Sequence, residues 1–450
     1  MPNTNRSRHS LSVLVTLCAA CTWTVGAHAA DAFAADSSWM TGDWGGERTA
    51  LLDKGVDIQM NYTGESASNV HGGYDKHDHT TKYADQFSLG AAIDLQKLMG
   101  WKDTHAMIGL TNRNGDETIN SARVSDPRAG GLTASQQIQG RGSVTRLSEL
   151  WLSKGWFDDR LDIKGGRFAV SDEFAVEDCL FQNLAFCGSQ PGNYVNTIYN
   201  SPIGQWALRV KYKLTPELYA QVGAFNVNPS NLDNDNGFKL NGAGTTGTYL
   251  PVELVWTPTV NRLPGQYSIG YYKSTADAKN TYRDIYGNSA ALSGDDYRTN
   301  GSRHGMWMIA KQQVTEHNGD ASRGLVLYAT ATFQDKATTE VDSYQKLAMV
   351  YKGPFDARPT DTLGLAVARM HASSQYLRNA RNENQLTGAT YDDANYVPEQ
   401  HSEYDMELNY GIQATRWLNI MPNLQYIDHP GGVREVQNAF VAGLQVSSQF

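Results

Sequence analysis

Charged side chains recur at every second residue in two stretches of the chain, and that spacing restricts what they can do. Arg209, Lys211 and Lys213 alternate with Leu208, Val210 and Tyr212, and Glu403, Asp405 and Glu407 alternate with Tyr404, Met406 and Leu408. Arg113, Glu149, Trp151, Lys164 and Glu253 are candidates for the same polar face, and Arg167 follows a strand whose alternation is ambiguous. Cations, carboxylates and an indole on one wall suit hydrogen bonding and stacking with a neutral polar solute, whereas a wall of one sign suits an ion. The plain alternative for each charge is solvation of a wide, wet wall. Catalysis is not what these residues suggest. No Ser-His-acid arrangement stands out, and the chain's 47 acids offer no pair that can be placed together as glycoside hydrolysis requires. His71, Asp75, His77, Asp78 and His79 crowd one segment but read as mobile polar loop residues. Asp233 and Asp235 lack the glycine and distal glutamate of a calcium loop. No catalytic residue, metal or cofactor is assigned.

The elements that carry these residues are strands. At the C-terminus Phe440, Ala442, Leu444, Val446, Ser448 and Phe450 share one face, opposite Val441, Gly443, Gln445, Ser447 and Gln449. Near the other end Val56, Ile58, Met60 and Tyr62 oppose Asp57, Gln59, Asn61 and Thr63. A face carrying Glu403, Asp405 and Glu407 is expected to meet water, because unpaired buried charge is prohibitive. A soluble sandwich would also alternate, so the joins decide. About sixteen strands of roughly 9–11 residues are predicted, the length a tilted strand needs to cross hydrocarbon. They start near residues 55, 85, 104, 145, 160, 205, 217, 248, 265, 304, 324, 344, 362, 403, 417 and 438. Tight joins at 155–159, 214–216, 258–263, 354–361 and 415–416 alternate with mostly longer ones at 66–83, 114–144, 169–204, 226–247, 274–303 and 371–402. That sorting marks an all-β transmembrane antiparallel β-barrel with short periplasmic turns and long external loops. Barrels of this size hold an aqueous channel. Mean hydropathy is −0.48, and no later run of ~18 apolar residues supplies a membrane helix. Trp101, Trp156, Tyr219, Trp256, Tyr267, Trp417 and Tyr426 are placed for interfacial girdles.

Residues 1–30 read as a cleaved secretory signal: Arg6, Arg8 and His9, then an apolar run, then Ala27-His28-Ala29. A lipoprotein reading of Cys21 is weak, because Cys18 stands where a large aliphatic belongs. Removing two arginines and no acids takes the net charge from −9 to −11, which argues against nucleic acid as a partner. Residues 31–54 read as a periplasmic segment with a short helix over 46–53, and residues 55–450 as the barrel. Of the remaining cysteines, Cys179 and Cys187 are close enough for one local disulfide in an exported protein. The loop they staple, 169–204, also carries Phe174, Phe181 and Phe186. It is expected to fold into the channel as part of a constriction, with capping of the outer rim as the alternative. Loop 114–144, with Arg123, Arg128 and Arg141, is the second candidate.

Several segments resemble the carbohydrate-selective outer-membrane porins of the OprB type. They are Gly42-Asp43-Trp44-Gly45-Gly46 with Arg48, Leu51 and Gly55; Leu150-Trp151-Leu152 with Gly165, Arg167, Asp172 and Phe174; and Trp206 to Tyr212. The most specific run holds Glu403, Glu407, Leu408-Asn409-Tyr410, Gln413 and Trp417-Leu418, then Pro422 to Ile427 and Pro430-Gly431-Gly432. The resemblance implies a porin of the bacterial outer membrane that passes glucose and related sugars by diffusion, narrowed by inward loops. The terminal Phe450 looks like the signal read by outer-membrane assembly machinery. Sugars and outer-membrane lipid are the expected partners, with a monomer and a homotrimer both open. A sugar-selective constriction would use the polar residues above for hydroxyls and Trp151 for a ring face. Within transport the rival is a general or anion-preferring porin, favoured by Arg209, Lys211 and Lys213 and opposed by Asp405 and Glu407. The rival from another class is a secreted β-rich glycosidase, soluble without detergent.

Overall fold

Period-two patterning from residue 56 to the C-terminus becomes strands whose exposure alternates along their length. The computed structural model describes residues 31–450 apart from 78, 116 and 139, so the expected signal segment and Asp78 lie outside the described residues. Its main sheet has seventeen strands; one, the two-residue Thr259–Val260, only extends a turn, which leaves sixteen that span. They are β1 Val56–Gly73, β2 Thr81–Asp94, β3 Thr104–Asn114, β4 Thr145–Trp156, β5 Leu161–Phe168, β6 Gln205–Lys213, β7 Leu218–Val227 and β8 Gly247–Trp256. The second half comprises β9 Leu263–Ser274, β10 Arg303–Gln313, β11 Gly324–Gln334, β12 Val341–Lys352, β13 Thr362–Ala372, β14 Ser402–Gln413, β15 Leu418–Asp428 and β16 Gln437–Gln449. Each pairs antiparallel with the next, and β16 pairs with β1 from Asn61↔Gln449 to Gly73↔Gln437. Closure gives every spanning strand two neighbours, the condition for a sheet in hydrocarbon.

The outer wall is apolar: Ile108, Leu152, Val222, Leu254, Leu347, Met406 and Leu424 stand exposed on it. Trp101, Trp156 and Trp256 are exposed at the turn side, and Trp256 lies 5.5 Å from the Tyr267 ring. Tyr219 departs from the girdle expectation. Its cross-strand partner Val255 is buried inside, and the Lys211 ammonium sits 5.1 Å from its ring centre, so it faces the lumen.

Joins on one rim are short, at 95–103, 157–160, 214–217, 257–262, 314–323, 353–361 and 414–417. The other rim carries 115–144, 169–204, 228–246, 275–302 and 373–401, with shorter joins at 74–80, 335–340 and 429–436. The long loops include an extra hairpin, Ala278–Asp284 with Tyr297–Asn300, and a helix, Ser374–Thr387. The first loop is far shorter than the predicted 66–83. β1 runs 18 residues, beyond the 9–11 expected, because its inward Ala67 packs with Ile119, Val124, Ala439 and Val441, and a pairing with β16 bulged at Asn69/His71 carries the strand on to Gly73. Sequence pattern could not show this, since Ser66 to Gly73 reads as a turn-rich polar stretch.

The helix Glu47–Asp53 forms where residues 46–53 predict it. Asp43 accepts the Thr49 amide and hydroxyl, each at 2.9 Å. Arg48 lies against the Trp39 ring at 4.2 Å and the Trp44 ring at 5.0 Å, and donates to the Phe450 main-chain oxygen at 2.6 Å and to Ile58 O at 2.7 Å. The glycine-tryptophan run thus builds a clamp over the β1–β16 seam. Arg48→Ala removes two charge-assisted bonds and should lower barrel stability by about 3 kcal/mol, read as a lower transition temperature in heat-modifiable gel mobility. Arg48→Lys should recover only part, since an ammonium lacks the planar fork that spans two oxygens.

Candidate functional site, a constriction inside the barrel

Loop 169–204 carries more aromatic and aliphatic surface than an exposed loop can leave in water, and the barrel interior offers a matching wall. Phe168, Phe225, Tyr249, Tyr272 and Trp307 point inward and pack with Phe174, Ile198 and Tyr199 of the loop. Phe174 meets Phe225 edge to face at 5.9 Å. Across the lumen Phe181 and Phe186 join Tyr344 and Met370. Two strand glycines make room: a Cβ on Gly223 would stand 2.8 Å from the Phe174 ring, and one on Gly364 would stand 3.0 Å from the Phe181 ring. The loop therefore enters the channel rather than capping the rim. The Cys179–Cys187 disulfide is formed at its inner part, with Cα atoms 4.3 Å apart.

Ionic and hydrogen bonds fix both ends of this crossing. On the near wall Glu173 takes Lys164 at 2.8 Å and Arg209 at 2.9 Å, and Arg209 also pairs with Asp162. Burial alone would raise the Glu173 carboxyl, but Lys164 and then Arg209 outweigh it and hold the group below its ordinary range. Glu253 accepts the Trp307 indole at 2.7 Å, Gln221 at 2.8 Å and the Ala175 amide at 3.1 Å. On the far wall Lys346 pairs with Glu177, and Lys311 with Asp178 at 2.6 Å. Glu407 accepts the amides of Gln182 at 3.0 Å and Asn183 at 2.7 Å, and Asp405 takes the Asn183 side chain at 2.6 Å. Glu403 takes Gly431 N and, at 3.5 Å, Leu132 N.

The alternating acids of β14 thus depart from expectation. They do point inward, yet Glu403, Asp405 and Glu407 are each 0% exposed, because loop groups have replaced water as their partners, backbone amides for Glu403 and Glu407 and the Asn183 side chain for Asp405. Sequence offered no signal for this, since Asn183 lies more than two hundred residues from Glu407.

Between the loops and the wall of β1–β3 remains a passage of about 580 Å³. Thr63, Gln86, Arg113, Gln137, Arg141, Ser171, Glu177, Asn193 and Asn200 line it, a set rich in donors and acceptors. Arg113 donates to Gln86 at 2.7 Å; neither it nor Arg141 has an ion pair among the described residues.

The sequence-predicted residues divide by place. Arg113 lines the passage. Lys164, Arg209 and Glu253 face inward but are engaged by loop 169–204. Trp151 donates to Glu149 at 3.0 Å, and the Lys164 ammonium lies 3.8 Å from the centre of its ring. One face of the indole is therefore already covered. Lys211 stands over Tyr219. Arg167 is not in the channel: its cross-strand partners are Leu150 and Trp206, whose neighbours Leu152 and Leu208 stand on the outer wall. Its guanidinium donates to Leu147 O and Lys239 O, both at 3.1 Å, beneath loop 228–246. Glu173, Glu177 and Asp178 were missed, because no alternation marks a loop. Among the described residues no three His, Cys, Asp or Glu gather to hold a metal.

A closed sixteen-stranded barrel, apolar outside and narrowed by its own loop beside a polar cavity, is an outer-membrane porin. Residues 78–450 match the family model described as carbohydrate-selective porin, OprB family, and the chain belongs to that family. It is 53% identical over 428 residues to Porin B of Pseudomonas aeruginosa, covering 94% of each chain. It is 40% identical over 430 residues to the putative porin QuiX of Acinetobacter baylyi, covering 93% of this chain and 95% of that one. A high-pH structure of Pseudomonas putida OprB superposes with a TM-score of 0.92 at 52% identity, over 93% of this chain and all of that one.

The clamp chemistry predicts a leaky variant. Glu407→Gln keeps one acceptor but turns an NH₂ toward a loop amide, leaving that amide unpaired at a cost of about 1–3 kcal/mol. Single-channel recordings should then show higher mean conductance and added current noise, with the barrel still heat-resistant on gels.

Proposed function

We propose that sugars cross this barrel through the passage between loop 169–204 and the β1–β3 wall, with Arg113 and Arg141 as the principal donors to their hydroxyls. The observation that carries this reading is that these two guanidiniums line the passage without ion pairs among the described residues, while Lys164, Arg209, Lys311 and Lys346 are neutralised by carboxylates. A sugar is uncharged and offers hydroxyls around its ring, so it gains from donors held in place and gives up no ion hydration. Gln86, Gln137, Asn193 and Asn200 supply further amide groups. Trp151, with one face under Lys164, acts in this reading by holding that lysine rather than by stacking on sugar. The step is diffusion down a gradient and calls on no catalytic residue.

The same two guanidiniums favour a second property, a modest preference for anions among small ions. A single barrel is proposed as the transport unit, since its own loops close the passage, in a monomer and a trimer alike. Residues 1–30 are proposed to direct export and to be removed, leaving the segment from residue 31 at the periplasmic rim.

Liposome swelling in glucose, a disaccharide and a neutral non-sugar of glucose size tests the reading. The parent protein should pass glucose faster than the size-matched solute. Arg113→Gln should lower that ratio about fivefold, as expected for loss of one hydrogen bond near 1 kcal/mol, while Arg167→Gln leaves it unchanged. Equal rates for the two solutes in the parent protein would reduce the passage to a size filter.

A further inference from the structure

On the outer wall, polarity changes abruptly along two neighbouring strands. The outward row of β13 runs Leu363, Leu365, Val367, then Arg369 and His371; that of β14 runs Leu408, Met406, then Tyr404 and Ser402. The change marks the upper edge of the hydrocarbon layer on the long-loop side. At that edge lies a pocket of about 420 Å³ whose lining includes Arg369, His371, His401, Tyr404, His429 and Arg434. Next to it, on the apolar side of that edge, a groove of about 630 Å³ runs across β10–β14 past Leu327, Leu347, Leu365, Val367 and Met406. Val367 and Arg369 are two residues apart on one strand, so groove and pocket meet within about 7 Å.

The pocket's charge is arranged for an anion. Arg434 has no ion pair among the described residues, and Arg369 gives only Gln345 a bond, at 3.3 Å. Three carboxylates sit at its margin, each beside a histidine: Asp342 at 2.8 Å from His371, Asp428 at 3.1 Å from His429 and Glu399 at 3.9 Å from His401. Glu399 is also held by Arg381 at 2.7 Å. Asp342 occupies one ring nitrogen of His371. Burial first, then Arg434 and Arg381, hold the His401 imidazole below its ordinary range against the opposing pull of Glu399. A basic pocket opening onto a greasy groove at the level of headgroups matches a molecule with a phosphate above and an acyl chain below.

We propose that this site binds a phosphate-bearing lipid of the outer leaflet, its phosphate between Arg369 and Arg434 and one acyl chain along the groove.

The test uses the full barrel, stripped of lipid in detergent, with binding read by native mass spectrometry. The probes are hexa-acyl lipid A with two phosphates, the same lipid dephosphorylated, and inorganic phosphate. The phosphorylated lipid should bind at least about tenfold more tightly than either control, and the double variant Arg369→Gln/Arg434→Gln should remove about that factor. Lys273→Gln, which changes an exposed lysine near the same rim, should not. Leu347→Gln should weaken lipid binding and leave inorganic phosphate unaffected. Heat-resistant gel mobility and unchanged sugar flux verify folding, and His371→Asn gives a milder variant with the same readout should the double variant fail to insert. Equal affinity for the dephosphorylated lipid, an unaffected double variant, or an equal loss in Lys273→Gln would overturn the proposal. Inorganic phosphate binding as tightly as the lipid would also do so and leave a plain anion site.

Discussion

Hydrocarbon offers no partner to a backbone amide, and this single fact governs the chain from residue 56 onward. It requires that the last strand find the first, which β16 does along β1 over a sequence separation approaching four hundred residues. It also explains why the seam receives extra attention. Arg48, stacked between Trp39 and Trp44, grips both Ile58 of the first strand and Phe450 after the last, and the Met40 amide reaches Gln449 O at 2.8 Å. Once the cylinder is closed its outward faces have to be apolar, and every polar demand is displaced to the inside.

Inside, the opposite difficulty arises, because a cylinder of sixteen strands is too wide to discriminate among small solutes. Carboxylates and cations that would be wasted on bulk water are instead matched to one loop: Lys164 and Arg209 to Glu173, Lys346 to Glu177, and Glu407 to two amides. Pairing neutralises these groups within the bore. Beside the loop, Arg113 and Arg141 remain without an ion pair among the described residues, set among amides and hydroxyls.

Much of this was legible beforehand, for identifiable reasons. Side chains alternate across a strand with period two, so residues 206–213 and 403–412 declared both faces, and the sorting of joins by length declared the barrel. The disulfide followed from two nearby cysteines, whereas the inward turn of loop 169–204 was one of two readings, the other being a cap on the outer rim. Reading failed where the deciding partner lay far along the chain. Glu403, Asp405 and Glu407 looked solvated because nothing local announces Leu132, Gln182 or Asn183 as their partners. Arg167 looked like a channel residue, yet it faces the outer wall, covered by loop 228–246. Tyr219 looked interfacial because strand-end position fixes height in the membrane but not direction. Ser66 to Gly73 looked like a loop because small and polar residues extend a strand only when a neighbour supplies the pairing.

Loop 169–204 leaves the wall at β5 and is bound again at β12 and β14, roughly half the circumference away. Mechanically it is a strut across a thin-walled tube. A load that flattens such a cylinder changes the distance between those two walls. A cross-member in compression and tension with opposite walls resists that flattening. The element that narrows the opening therefore also ties opposite walls to one another.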